Sequence, residues 1–356
     1  MKHQLNELDL YYDRWPSPAP IQYDSVLDVD LRSSRPVRNS AAETELLEQA
    51  VAAYRCMGFP YPTWTDESLI RDIELIREAK TSISGRDIKQ SYVGSALASA
   101  FHPSMYSVRC NGRKTPLEIF ENDSALRRAI LQRIRFGDHL KPHSIRRVLL
   151  TAPGCQAASN FRPTAACSLI REFKATSVLD FCMGWGGRLL GAIAAGVQYV
   201  GIDPHTKAVT GNKELLRQIR RTHRDLVGDV TLIWGCAEDV VGRRLFSPDL
   251  ILTSPPYFDT ELYSSETTQS YLRHPTTELW FEDFLGACIH GSFRDLRPGG
   301  HLVLNVSHQL APRTLELATS AGFEMIRSMN LIIGSRPSHH SKGYKHEPVL
   351  VFRKSA

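Results

Sequence analysis

The sequence predicts an α/β protein: an open, largely parallel sheet preceded by a helical N-terminal region. Three observations carry that expectation. From about residue 150, short apolar runs alternate with helical patterns, the grammar of strands joined by crossover helices. A glycine-rich turn, Gly184-Trp185-Gly186-Gly187, separates the first of those runs from the helix that follows it. The buried run Leu250-Ile251-Leu252 is then halted by Pro255-Pro256, because two adjacent prolines lack the N–H groups a central strand needs.

At 356 residues the chain can hold one large domain or two modest ones. Its 42% hydrophobic and 23% charged content is ordinary for a globular protein. No apolar run of membrane-spanning length occurs, and Met1–Glu7 lacks the apolar core of a secretory signal. The seven cysteines are odd in number and scattered singly, with no Cys-x-x-Cys pair, so neither a disulfide framework nor a zinc site is expected. Reduced thiols fit a cytoplasmic or nucleoid-associated protein. The net charge of +5 is unevenly spread, with 12 Lys/Arg against 5 Asp/Glu between Arg86 and Arg147. A basic segment beside a catalytic domain suits a polyanionic partner; a solvated helical surface is the plainer reading.

Residues 1–40 are polar and proline-punctuated and read as an extended arm. The region 41–150 reads as helical and basic. Leu46, Leu47, Ala50, Val51 and Tyr54 mark a helix over 42–57, and Asp66-Glu67 opens a second with Leu69, Ile70, Ile73 and Ile76 on one face. Another is expected over 90–100. Ser124 can cap a helix running to Phe136, with Arg127, Arg128, Arg133 and Arg135 facing outward, where it could lie along a phosphate backbone. The third region, 151–356, carries a helix over 164–173, strands over 177–182, 199–202, 230–234, 250–253 and 302–306, helices over 188–195, 280–296 and 312–321, and two last strands near 323–333 and 348–352.

Chemistry gathers where those strands end. A glycine turn between strand and helix lets a ligand approach the backbone and aims the helix N-terminus at it. The spacing is not a dinucleotide fingerprint, since Leu189 stands where a third glycine would be needed. Asp203 closes the second strand, where a carboxylate can accept both hydroxyls of a ribose. Ser254-Pro255-Pro256-Tyr257 leaves its strand with a hydroxyl, two carbonyls free of ladder duty and an aromatic ring. Acceptors beside a flat aromatic face suit a planar ring bearing an amino group.

On these motifs, over about residues 155–353, the chain resembles the amino-methyltransferases that modify exocyclic nitrogens of DNA bases, whose hallmark is a Ser/Asp/Asn-Pro-Pro-Tyr loop; Thr-Ser-Pro-Pro-Tyr looks most like their cytosine-N4 branch. The resemblance implies a seven-stranded, Rossmann-like class I methyltransferase domain and S-adenosylmethionine (SAM) as cofactor. Asp180-Phe181-Cys182-Met183-Gly184-Trp185-Gly186 is similar to the family's Asp-Pro-Phe-x-Gly-x-Gly loop, with Phe181 and Cys182 in place of Pro and Phe. Cofactor contacts are thereby implied for Asp180, Phe181, Cys182, Gly184, Gly186 and Asp203, for Phe161 and Pro163 at the methionine end, and for Glu238 or Asp239 beside the adenine; which acid points inward stays open, and Asp239 could equally cap a helix.

The expected reaction is methyl transfer to a nucleobase amine, cytosine N4 in DNA being favoured. Ser254 and the Pro255 carbonyl would hold the amine, Pro256 shapes the turn and Tyr257 would stack on a base drawn out of the duplex. SAM is already activated and no metal is required. Phe258 and Tyr263 could add substrate contacts, as could Arg336, His339 and Lys342 in the basic loop 335–345, with Arg127 and Arg128 on the helical side. Adenine N6, RNA or another planar nitrogen acceptor is the alternative within enzymes; a non-catalytic nucleic-acid-binding regulator is the alternative outside them.

Overall fold

The computed structural model describes residues 31–79, 83–89, 91–223, 225, 228–337 and 344–355, so most of the expected arm lies outside the described residues. The chain forms two compact units, each built from two stretches: Met1–Trp64 with Pro103–Ser159, and Thr65–His102 with Asn160–Ala356. This partition differs from the division expected at residue 150: the α/β unit resumes at Asn160 and also takes in Thr65–His102. The physical reason is a helix, Asp66–Glu78, whose buried Leu69, Ile73 and Ile76 face the helices Pro163–Glu172 and Gly187–Ala195.

The helical unit is organised by Ala41–Met57, Asp123–Phe136 and Pro142–Leu150. Tyr54 is fully buried and its hydroxyl donates to the Leu140 carbonyl at 2.5 Å, while Phe59, Tyr61, Tyr106 and Phe120 form a ring cluster with centroids 4.8–5.6 Å apart. The cap of Asp123–Phe136 is Asn122, whose side chain accepts from the Ala125 N–H; Ser124 lies inside the helix instead. Of the arginines expected to face outward, Arg133 is buried and paired with Asp138. Arg127 pairs with Glu48, and Arg135 with Glu43 at 3.0 Å. Arg128 is exposed. Much of the helix's positive charge is thus met by acids of its own unit.

The α/β unit is centred on a nine-stranded sheet. Its strands are β1 (Ile83–Ser84), β2 (Asp87–Ile88), β3 (Ser177–Asp180), β4 (Gln198–Asp203), β5 (Val230–Trp234), β6 (Leu250–Thr253), β7 (His301–Asn305), β8 (Glu324–Pro337) and β9 (Tyr344–Arg353). They stand in the order β1-β2-β8-β9-β7-β6-β3-β4-β5. The last seven of these positions are the Rossmann-like class I methyltransferase plan, with β9 antiparallel to both β8 and β7 and the others parallel. Two short strands are an addition to that plan: β2 pairs parallel to β8, and Gly85, at φ +61°, turns β1 back on it. The expected helix over 90–100 shrinks to Ser95–Ala100, because Gly94 precedes it with φ +75°. The helix expected over 280–296 runs to Asp295 with a wide π-type turn at Trp280–Gly286.

Every residue of β3 and β6 is buried, as strands covered on both faces must be. Trp280, Phe281, Phe284 and Leu285 pack with Leu179, Ile251, Leu302 and Leu304 in an apolar layer on the sheet. From β3 the chain steps outward through β4 to β5, then returns to lay β6 on the other flank of β3. That reversal places the β3 and β6 loops side by side at the carboxyl edge, the crevice where open α/β sheets bind ligands. Among the described residues no helix is long and apolar enough to cross a membrane.

Candidate functional site

The loop after β3 is held from beneath by a buried ion pair that motif reading missed. Asp180 is fully buried; the Arg188 Nε donates to its carboxylate at 2.7 Å and the Tyr199 hydroxyl at 2.9 Å, while Arg188 also reaches the Cys182 carbonyl. Asp180 therefore shapes the turn from below. Phe181, expected at the cofactor, has its side chain wholly inside the apolar layer. Cys182 lies partly against the same layer and its N–H donates to Asp180 at 3.3 Å. Arg188 could have been suspected from its place in the first turn after the glycines, facing a strand that ends in an acid.

Above that floor the backbone is arranged by Asp203. One of its carboxylate oxygens accepts the Gly184 N–H at 2.8 Å and the other the His205 N–H at 2.9 Å, so the ends of β3 and β4 are clasped together. Burial pushes its pKa up to about 6. Gly184 and Gly186 both have positive φ, +56° and +76°. A Cβ on Gly184 would meet nothing nearer than the Cys182 carbonyl at 3.9 Å, so this turn is open to a ligand. Asn212 Nδ2 donates to the Gly184 carbonyl at 2.7 Å, and Asn160 Nδ2 to the Trp185 carbonyl at 2.8 Å. Neither asparagine was singled out from sequence for that bond. A Cβ on Gly187 would lie 1.8 Å from the Phe161 carbonyl oxygen, which is how closely Asn160-Phe161-Arg162-Pro163 passes the loop. The Phe161 ring lies under the Arg188 guanidinium at 5.3 Å, and Pro163 is buried as the first residue of its helix.

The loop after β6 leaves the sheet at Ser254, as the prolines require. Ser254 donates to Asn305 Oδ1 at 3.3 Å, and the Tyr257 hydroxyl to a carboxylate oxygen of Glu347 at 2.9 Å. Burial, reinforced by the Glu347 charge, pushes the Tyr257 pKa above the usual phenol range. Pro255 is buried and Pro256 half-buried. Phe258, expected to touch substrate, has φ +55°, and its half-buried ring packs on the apolar layer, edge-on to Trp280 at 6.1 Å. Asn305 and Glu347 lie on β7 and β9, too far along the chain for motif reading to connect them with Ser254.

The segment after this loop folds back across the strand ends. The Tyr263 ring meets Trp185 at 5.4 Å and its hydroxyl reaches Glu261. Glu266 accepts the Thr206 N–H at 3.0 Å, capping the helix Thr206–Thr222, and the Thr268 hydroxyl donates to the Pro204 carbonyl at 3.2 Å. Of the two acids after β5, Glu238 turns inward with its side chain 7% exposed, against 53% for Asp239. Glu238 meets Arg273 at 2.8 Å and His274 at 3.2 Å, while Asp239 shares only the outer side of Arg273. The Trp185 indole N–H and the Gln269 side-chain nitrogen are buried without a hydrogen-bond partner among the described residues.

Five more residues were expected to contact substrate. Arg127 and Arg128 belong to the helical unit. Arg336 is the next-to-last residue of β8, and His339 and Lys342 lie outside the described residues. Gathered at one sheet edge are an open glycine turn, a carboxylate at the end of β4, an inward acid after β5 and a hydroxyl-rich loop after β6.

No family model matches the sequence, and no curated protein matches it. Solved structures similar to the chain include TrmN from Thermus thermophilus, 20% identical with a TM-score of 0.39 over 54% of this chain and 48% of that one. The chain thus spans about half the length of TrmN. A methyltransferase from Pyrococcus furiosus is 17% identical with a TM-score of 0.39, covering 55% of this chain and 83% of that one. NSun6 from Pyrococcus horikoshii with SFG is 15% identical with a TM-score of 0.39, covering 56% and 53%. At these TM-scores the functional reading rests on the geometry described above.

Proposed function

We propose that the α/β unit binds SAM and directs its methyl group to an exocyclic amino nitrogen of a nucleobase in DNA, cytosine N4 being favoured. The observation that carries this reading is the juxtaposition of the glycine turn and the Ser254–Tyr257 loop at the carboxyl ends of the neighbouring strands β3 and β6. The residues present fit the cofactor. Asp203 is a carboxylate at the end of β4 suited to ribose hydroxyls, the turn at Gly184 is open, and the Trp185 N–H is a buried donor still without an acceptor. Glu238, held inward by Arg273 and His274, is the acid to set beside an adenine ring.

SAM supplies an electrophilic sulfonium methyl, so the protein has only to present a nitrogen lone pair to it. An exocyclic amine is a poor nucleophile while its lone pair is delocalised into the ring. Hydrogen bonds from its two N–H groups to Ser254 Oγ and the Pro255 carbonyl favour a pyramidal nitrogen and gather the lone pair on one side; as the N–C bond forms the methyl–sulfur bond would break, and the nitrogen would then shed one proton to solvent. Tyr257, pinned through its hydroxyl to Glu347, offers a ring of fixed orientation for the base to rest on.

The test is to incubate the protein with methyl-labelled SAM and, separately, DNA and RNA, then digest to nucleosides and identify products by mass. N4-methyldeoxycytidine is expected. N6-methyladenine, or label in RNA alone, would reassign the acceptor within the same chemistry. Absence of any methylated nucleoside, with no SAM binding by calorimetry, would overturn the reading in favour of a binding protein.

A further inference from the structure

The residues that decide which way the two loop hydroxyls point lie outside the loop. Asn305, the last residue of β7, is buried, and its amide nitrogen donates to the Pro348 carbonyl on β9 at 3.2 Å. A carbonyl can only accept, so the Asn305 amide has one admissible orientation and Oδ1 must face away from Pro348. There it accepts from the Ser254 hydroxyl at 3.3 Å. Glu347, the residue before Pro348, takes the Tyr257 hydroxyl at 2.9 Å. An ionised carboxylate has no proton to return, so the phenol hydrogen is committed to it.

Each hydroxyl carries a single proton: that of Tyr257 is spent on Glu347, and that of Ser254 on Asn305 or on the Tyr257 phenol oxygen, which also lies within its reach. What remains on Ser254 Oγ and Tyr257 Oη is lone pairs, and the Pro255 carbonyl adds more. A group approaching this corner must bring protons of its own. An amino group does so; a ring carbonyl meets lone pairs with lone pairs and leaves buried acceptors unpaired, the arrangement that rejects an analogue most strongly.

Resting on the function proposed above, we infer that Asn305 and Glu347 are positioning residues that determine specificity: by consuming the hydroxyl protons of Ser254 and Tyr257 they fix the site as a pure acceptor, admitting an amino-bearing ring and rejecting its keto counterpart. Glu347→Gln tests this with little change of shape at a half-buried strand position. Its amide can donate to the phenol oxygen, freeing the phenol hydrogen to turn outward.

Two measurements are made on the full-length protein. In the first, tyrosine labelled at Cζ is titrated by NMR, with Tyr257→Phe assigning the signal. The wild-type Tyr257 resonance is expected to hold its proton above the usual phenol range, with Glu261 the other acid near it. In Glu347→Gln it should titrate at lower pH; an unchanged titration means the contact is absent and overturns the inference, whatever the substrate. In the second, methylation of a single-stranded oligonucleotide with an unmodified target cytosine is measured in the presence of a copy carrying uracil at that position, offered as a competitor. Wild type should discriminate against the uracil copy, and Glu347→Gln should lose about tenfold of that discrimination, the value of one hydrogen bond, with the KM for SAM unchanged. Discrimination unaltered while the Tyr257 titration moves would overturn the inference and leave methyl transfer standing. A wild type that methylates no nucleobase would overturn both.

Discussion

Gly184 and Gly187 stand three residues apart and answer to different constraints. Gly184 needs its left-handed backbone but has space around it, so Gly184→Ala should cost about 1–2 kcal/mol of stability. Gly187 has no such conformation to protect; its Cβ would collide with the Phe161 main chain. Gly187→Ala should therefore cost more, about 3 kcal/mol, and also weaken SAM binding by pushing Asn160–Pro163 off the loop. Thermal denaturation of the two variants and calorimetry with SAM check the order. Asp203 supplies a pH dependence of definite sign. Its folded pKa of about 6 lies above the ordinary carboxylate value, so the folded state holds its proton more tightly. Between about pH 4 and 6 this one group should lower stability as pH rises, by about 3 kcal/mol across the window, and Asp203→Asn should remove that slope. SAM affinity should run the other way, falling below about pH 6 as Asp203 takes up a proton and loses acceptor capacity. At this scale the sequence was legible wherever a residue type is dictated by a backbone need, as at Gly184 and the two prolines. It was silent where a choice depends on distant partners: Glu238 and Asp239 look alike until Arg273 and His274 are seen to select one of them.

Among the elements, the basic helix Asp123–Phe136 departs furthest from its sequence pattern. Helical periodicity correctly puts Leu126, Ile130 and Ile134 inside, but it cannot see that Arg133 shares their face and is buried beside Asp138, or that Glu43 and Glu48 wait for Arg135 and Arg127. If the helix meets nucleic acid, Arg128 is the residue to carry the contact. Arg128→Ala should weaken binding to single-stranded DNA and reduce the slope of affinity against salt by about one, with stability unchanged. Arg133→Ala should do the reverse, lowering the melting temperature with little effect on the slope; fluorescence anisotropy over a salt series and thermal denaturation separate the two. The sheet was far more legible than this helix, because β3, β6 and β7 are continuous apolar runs bounded by turns. The edge strands β1 and β2 were missed, since two residues each are too short to show any alternation.

For the molecule as a whole, what the sequence concealed is its division. The change of pattern near residue 150 is real, but pattern reports only local structure, and the contacts that assign Thr65–His102 to the α/β unit are long-range. Arg221 pairs with Asp66, Arg171 reaches the Arg77 carbonyl at 2.6 Å, and Asn330 donates to Asp87 at 2.9 Å. A fragment starting at residue 151 should for that reason be markedly less stable than one in which 65–102 is joined to 160–356 through a short linker, as judged by cooperative unfolding in circular dichroism. The same interleaving bears on the order of events during translation. Asp87 emerges from the ribosome 243 residues ahead of Asn330, and the whole of Pro103–Ser159 is synthesised before Asn160 appears. The nascent chain must hold an unfinished edge strand in reserve until nearly the last of the sheet has been made, while the intervening segment is already free to fold.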